Sequence, residues 1–213
     1  MQSIVLIDYG SGNLRSAEKA LQRAARELGG ARQVATTSDP DQIAQADAVV
    51  LPGVGAFAAC MRALNARPGV AEAMTEAVKR RGVPFLGVCV GMQLMADRGL
   101  EFGETPGLGW ISGDVKRIAP TGAAFKVPHM GWNDLVRRPH PIFTGLSEPA
   151  TMYFTHSFAF HPTEDADVLA ETNHGGRFPA AVARGNMAGV QFHPEKSQGA
   201  GLALLANFLE WRP

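Results

Sequence analysis

Along the first half of the chain, short unbroken apolar runs alternate with stretches in which apolar side chains recur every third or fourth position. Ser3–Asp8 (SIVLID) is a continuous, β-branched run of the kind that a strand covered on both faces requires. Leu14, Ala17, Leu21, Ala24 and Leu28 then share one face of a helix, with Gly29 placed as its C-terminal stop. Gln33–Thr36 reads as a weak second strand and Ala48–Leu51 (AVVL) as a strong third. A helix-rich stretch follows, with Val70, Met74, Ala77 and Val78 on one face and Gly82 at its end. Val83–Val88 (VPFLGV) is the next strand. Strands and helices alternating at this spacing predict a parallel sheet wrapped on both sides.

The second half is richer in strands. Trp110–Ile118, Thr151–His161, Val168–Glu171 and Ala180–Ala183 read as strands, and Gly189–Phe192 runs into His193. A final amphipathic helix, Gly199–Trp211, turns Leu202, Leu205, Phe208 and Leu209 inward. No low-complexity linker, charge block or repeat interrupts the chain, so residues 1–213 are expected to form one domain. The expected class is α/β: an open, mostly parallel, flavodoxin-like sheet flanked by helices, with a smaller antiparallel strand region in the C-terminal half.

Composition narrows the function. Lys+Arg and Asp+Glu both number 20, giving zero formal net charge, and no polybasic run points to nucleic acid or an anionic membrane surface. The opening MQSIVLIDYG has no basic segment or small-residue cleavage site and is expected to be a strand rather than a secretion signal. No apolar stretch approaches the roughly 20 residues that a membrane span needs. Cys60 and Cys89 lie in very different contexts and do not resemble a disulfide framework. The expected setting is the cytoplasm, where a free thiolate survives.

The chemistry centres on Gly87-Val88-Cys89-Val90-Gly91, a cysteine between two glycines where a strand hands over to a helix. This is the design of a nucleophile elbow, which lifts one side chain above the sheet on a sharp turn. A helix beginning just after Cys89 would aim its N–H groups and positive end at the sulfur and favour the thiolate. The N–H of Val90 would face a developing oxyanion. A buried structural cysteine is the plainer alternative, and it is the expected role of Cys60, within Phe57-Ala58-Ala59-Cys60-Met61.

Of six histidines, His193 stands out, at the end of an apolar strand in Gln191-Phe192-His193-Pro194-Glu195. Extended residues at i and i+2 point the same way, so Glu195 is expected beside His193, fixing its tautomer. An ordinary polar loop is the alternative. Pro52-Gly53-Val54-Gly55 follows the third strand and is expected to border the same cleft, offering a second oxyanion donor near Gly53 or Val54.

With these residues in hand, the chain resembles the class I (triad-type) glutamine amidotransferases over essentially its whole length. The general signature is Gly87–Gln93 together with Gly189–Glu195. Ile7–Ser16 (IDYGSGNLRS), Pro52–Gly55, Lys126–Asn133 (KVPHMGWN) and Glu195–Gln198 resemble one branch in particular. In that branch a glutaminase feeds ammonia to a (βα)8-barrel synthase subunit that closes the imidazole ring in histidine biosynthesis. The resemblance implies that Cys89 attacks the side-chain amide of glutamine and that His193, held by Glu195, moves the protons. Gly55, Gln93 and the segment His156-Ser157-Phe158 would hold the substrate; a locally satisfied strand histidine is the alternative for His156. Trp132 and Asn133 would meet the partner, with a plain core tryptophan as the alternative for Trp132. The partner's ligand would switch the glutaminase on by reorienting Pro52–Gly55. No metal and no cofactor are implied.

Two departures are small: Val90 stands where leucine is more usual, and Asn186-Met187 replaces a more aromatic turn. An amidotransferase serving another pathway is disfavoured by Met92 and by the Pro128–Asn133 segment. A fold-keeping module without catalysis is disfavoured by retention of Cys89, His193 and Glu195. A cysteine peptidase of similar topology leaves the Pro52–Gly55 loop unexplained.

Overall fold

The computed structural model describes all 213 residues. β1 (Gln2–Ile7) leads through α1 (Leu14–Glu27) to β2 (Arg32–Thr37), then α2 (Pro40–Ala44) and β3 (Ala48–Gly53). Next come α3 (Phe57–Asn65) and α4 (Val70–Thr75), the latter continued by one π-helical turn at Glu76–Arg80. β4 (Phe85–Cys89) ends on the elbow and α5 (Val90–Gln93) follows. Short β5 (Arg98–Gly99) and β6 (Thr105–Pro106) precede β7 (Gly113–Arg117), β8 (His129–Arg137), β9 (Ala150–His156) and β10 (Phe158–Pro162). β11 (Val168–Asn173), β12 (Arg177–Arg184) and β13 (Met187–Val190) complete the strands, and α6 (Gln198–Glu210) closes the chain.

Nine strands form one sheet in the order β2-β1-β3-β4-β13-β12-β11-β8-β9. The strands from β2 to β13 are mutually parallel, and those from β12 to β9 run antiparallel to their neighbours. The antiparallel region is therefore a continuation of the main sheet. A separate four-stranded sheet, β10-β7-β5-β6, lies beside it. β3 and β4 carry only buried residues, which explains why they read as continuous apolar runs. α1 packs with α6, while α4 packs with α2 and α3, giving two helix layers.

One expectation changes, and one strand has no reading in the sequence. The run Thr151–His161 is two strands, because the chain leaves the large sheet after His156 and enters the small one at Phe158. β8, nine residues long, carries no apolar alternation in the sequence: its inward positions include His129, Gly131 and Asn133. No helix is long and apolar enough to cross a membrane.

The parallel order matters for the site. Gly53 ends β3, Cys89 ends β4, and His193 follows β13, so three adjacent strands deliver these residues to one carboxyl edge. That edge is where open α/β sheets hold their ligands.

Candidate active site

Cys89 has φ 54° and ψ −113°, a conformation that costs a non-glycine residue about 1–3 kcal/mol and persists only where packing imposes it. The packing here is backbone against backbone. A Cβ on Gly91 would lie 1.9 Å from the Leu51 carbonyl oxygen, and one on Gly87 would lie 2.6 Å from that of Gly91. The flanking glycines therefore let α5 press onto β3 and β4. The helix expected after Cys89 is α5, and it is four residues long. Its dipole is that of a single turn, so the charge beside the sulfur must come chiefly from a side chain.

That side chain is His193. Its Nδ1 lies 2.8 Å from Glu195 Oε1. The contact forms differently from the sequence expectation: Pro194–Lys196 is a 3₁₀ turn, and it is the turn rather than strand alternation that brings Glu195 back to the imidazole. His193 Nε2 is buried, without a hydrogen-bond partner, in a residue that lines the same cleft as Cys89. Burial alone would lower the His193 pKa. The adjoining Cys89 sulfur and the Glu195 carboxylate outweigh it and raise the pKa to about 9, although no sulfur–Nε2 hydrogen bond has formed. The His193 imidazole is thus pushed toward its protonated form, with an Nε2 that no protein group engages.

Linkage gives this a measurable consequence. A pKa raised from 6.5 to about 9 contributes stability that is complete below pH 6.5 and is lost as pH rises through 9. Burial lowers His129 to about 3 and His156 to about 4, which works in the opposite sense. Their contribution is complete above pH 6.5 and declines as the solution is acidified toward those values. The thermal midpoint, followed by calorimetry, is expected to peak near neutrality and fall on both sides. A midpoint that climbs steadily from pH 7 to 9 would contradict the raised His193 pKa.

The cleft has a volume of about 400 Å³ and is lined by Val54, Gly55, Cys89, Val90, Gln93, His156, Ser157, Phe158 and His193 among others. Gly53 pairs in register with Cys89, and a Cβ there would come within 2.7 Å of Gly91 N. The loop beyond it is gripped from behind. Tyr9 Oη donates to the Pro52 carbonyl at 2.8 Å, and Ser11 Oγ to the Val54 carbonyl at 3.0 Å. Cys60 Sγ lies 3.3 Å from that same Val54 oxygen, so this buried cysteine contacts the loop as well as packing the core. Burial, followed by Cys60, keeps Tyr9 protonated as a donor.

Gln93 is buried, and its Nε2 donates to the Phe158 carbonyl at 3.0 Å and to Gln191 Oε1 at 2.9 Å. His156, Ser157 and Phe158 sit where the chain crosses from one sheet to the other. Sequence reasoning missed Gln191, which is fully buried with Nε2 3.6 Å from Cys89 Sγ. Gln191 lies in a bend beyond β13, so strand alternation gives no signal for it. Lys196, Thr155, Pro128 and Glu101 also line the cleft; Glu101 additionally accepts the Phe57 N–H at the start of α3, at 2.9 Å.

Trp132 and Asn133 part company. Trp132 is 48% exposed, on the same face of β8 as Met130 at 63% and Val136 at 62%. Asn133 alternates to the other face, where its amide bonds the Asn173 carbonyl, so only Trp132 of the two presents its side chain on the face that carries Met130, Asp134 and Val136.

The family model for "Glutamine amidotransferase class-I" matches residues 5–211. The chain is 60% identical to the imidazole glycerol phosphate synthase subunit HisH of Caulobacter vibrioides, with 100% of both chains covered. It is 54% identical to the HisH subunit of Agrobacterium fabrum, with 99% of each covered. Among solved structures, a glutamine amidotransferase superposes with a TM-score of 0.72 at 22% identity over 97% of both chains. Another, from Thermotoga maritima, gives 0.62 at 16% identity over 98% of this chain and 96% of that one.

Proposed function

The chain belongs to the class I glutamine amidotransferase family, and from that premise we propose how its cleft works. Its function is that of the glutaminase subunit of imidazole glycerol phosphate synthase in histidine biosynthesis, supported by full-length identity of 60% and 57% to such subunits. One observation carries the mechanism: a cysteine on a strained elbow shares a cleft with a buried histidine whose Nε2 is unpaired.

Cys89 Sγ, its proton held on His193 Nε2, adds to the side-chain carbonyl carbon of glutamine, and the carbonyl electrons move to oxygen. The N–H of Val90 and a donor from Gly53 or Val54 stabilise that oxyanion. His193 Nε2–H protonates the departing nitrogen, the C–N bond breaks, and ammonia leaves a γ-glutamyl thioester. Neutral His193 then takes a proton from water, whose oxygen displaces the sulfur to give glutamate. Glu195 holds Nδ1 throughout. Gln93 Oε1, which accepts nothing within the protein, is the end that would meet the substrate's ammonium group; Gly55 and the His156–Phe158 backbone border the rest. No cofactor is needed for these steps.

The ammonia passes to a partner synthase subunit, which we propose to be a (βα)8 barrel docking on the Met130–Trp132–Val136 stripe. Buried aromatics dominate interface energetics, and Trp132, with Tyr153 edge-on beside it, is the most exposed aromatic of this surface. Partner binding with the synthase ligand would release the Val54 carbonyl from Ser11 and Cys60 and turn the Gly53–Gly55 backbone toward the oxyanion. The cytoplasm, which keeps Cys89 reduced, is the proposed location.

The test is glutamate release by the chain alone, with the synthase, and with the synthase plus its ligand. The rate is expected to rise at least about tenfold in the full mixture, about 1.4 kcal/mol in barrier. Trp132→Ala should weaken the partner dissociation constant about tenfold or more, measured by titration calorimetry. A fast isolated chain would remove the gating, and an unchanged constant would remove Trp132 from the interface.

A further inference from the structure

From Asn133 to the cleft wall, polar groups join into one run of hydrogen bonds that leads to Gln93 and Cys89. Asn133 Nδ2 lies 3.2 Å from His129 Nε2, His129 Nδ1 lies 2.9 Å from His156 Nε2, and His156 Nδ1 lies 2.9 Å from the Phe158 carbonyl oxygen. That oxygen also receives Gln93 Nε2, which bonds Gln191, which in turn reaches Cys89 Sγ.

The proton positions follow from one fixed end. A carbonyl oxygen only accepts, so His156 must carry its proton on Nδ1, leaving a lone pair on Nε2. The donor to that lone pair must be His129 Nδ1–H. His129 Nε2 is then a lone pair facing the Asn133 amide, itself anchored to the Asn173 carbonyl at 2.8 Å. Both rings are buried, at 2% and 6% exposure, and His129 stacks on Phe154 and on His174. A second proton on either ring would set N–H against N–H or against an amide donor.

We propose that Asn133, His129 and His156 are positioning residues, a relay of fixed tautomers that aims the Phe158 carbonyl at Gln93 and thereby orients the glutamine-facing end of Gln93. Phe158 sits at the crossover between sheets, immediately after Ser157, which belongs to neither. Phe158 pairs with Arg117 of β7, and its carbonyl oxygen receives two side-chain donors, His156 and Gln93. Without the His156 donor, the Gln93 amide loses one of the two acceptors that fix which end faces the cleft. The kinetic consequence rests on the glutamine reading above; the tautomers do not.

The test has two arms. In the full chain labelled with ¹⁵N-histidine, both His129 and His156 should appear at pH 7 as Nδ1–H tautomers, the less common form of a free imidazole. In the partner-saturated enzyme, His129→Phe keeps the stacked ring but deletes the donor, and should raise the glutamine KM about tenfold while kcat changes less, as expected for one lost buried hydrogen bond. His129→Asn, which returns an N–H near the Nδ1 position, should recover most of that loss. The relay is overturned by an Nε2–H tautomer on either ring, by a wild-type KM in His129→Phe, or by equal impairment in both variants. If the unmodified enzyme does not hydrolyse glutamine, the functional reading fails and the tautomer spectra alone decide the relay.

Discussion

A Cys89→Ala chain is expected to fold, to bind its partner and to release essentially no glutamate from glutamine. The loss should reach about 10⁴-fold or more, because removing a nucleophile closes the covalent route instead of weakening it. The fold should survive. The elbow is held by contacts of Gly87 and Gly91 with neighbouring backbone, none of which involves the sulfur, whose formed hydrogen bond is the 3.6 Å one from Gln191. With free ammonium supplied, the partner should still turn over, separating lost glutaminase from lost assembly. Cys89→Ala should also lower the His193 pKa from about 9, since the sulfur is one of its two raising partners. Substantial hydrolysis by this variant would overturn the mechanism.

Gly91→Ala should be among the most destabilising single changes in the chain. The added methyl would sit 1.9 Å from the Leu51 carbonyl oxygen and 2.8 Å from its carbon, both backbone atoms of a strand buried on two faces. No rotamer relieves that contact. Either β3 separates from the elbow or α5 lifts away, and both movements break the register that pairs Gly53 with Cys89. The expected cost is about 4 kcal/mol, in the range of severe overpacking, and corresponds to a fall in melting temperature of roughly 8–16 °C at this size. Activity should fall further than stability, because the displaced segment carries Cys89 and the Val90 N–H. Gly199→Ala is the control: nothing lies within 4 Å of its Cβ in the first turn of α6, so that change should be neutral or slightly stabilising. Equal melting temperatures for the two variants would show that the elbow tolerates the methyl.

The parts of the site that sequence made legible are local. Gly-X-Cys-X-Gly announces its own turn, and the apolar runs around it read as strands because β3 and β4 are buried on both faces. β8 was illegible for the opposite reason. Its inward positions His129 and Asn133 are polar because they hydrogen-bond each other and His156, so the period-two apolar signal is missing where burial is real. The break at Ser157 left no trace either, since the strands on both sides of it are apolar enough to read as one.

From sequence alone came the candidate cysteine, histidine and carboxylate, the parallel pairing of the N-terminal strands, and the family. All depend on spacing within a few residues or on motifs that stay contiguous. Tertiary structure alone decided that Glu195 returns by a 3₁₀ turn, that Trp132 and Asn133 face opposite ways, and that Gln191, 102 positions from Cys89, touches its sulfur. It also decided that Cys60 reaches across to the Val54 carbonyl. The Gln191–Cys89 meeting is brought about by sheet order, and a single sequence carries no local signal for where distant backbone will pass; the nearer contacts depend on turn and strand geometry that the residue types alone do not fix. Cys89 was readable because its glycines mark it; the protein groups around it were set by the packing of β3, β4, β13 and the crossover at Ser157.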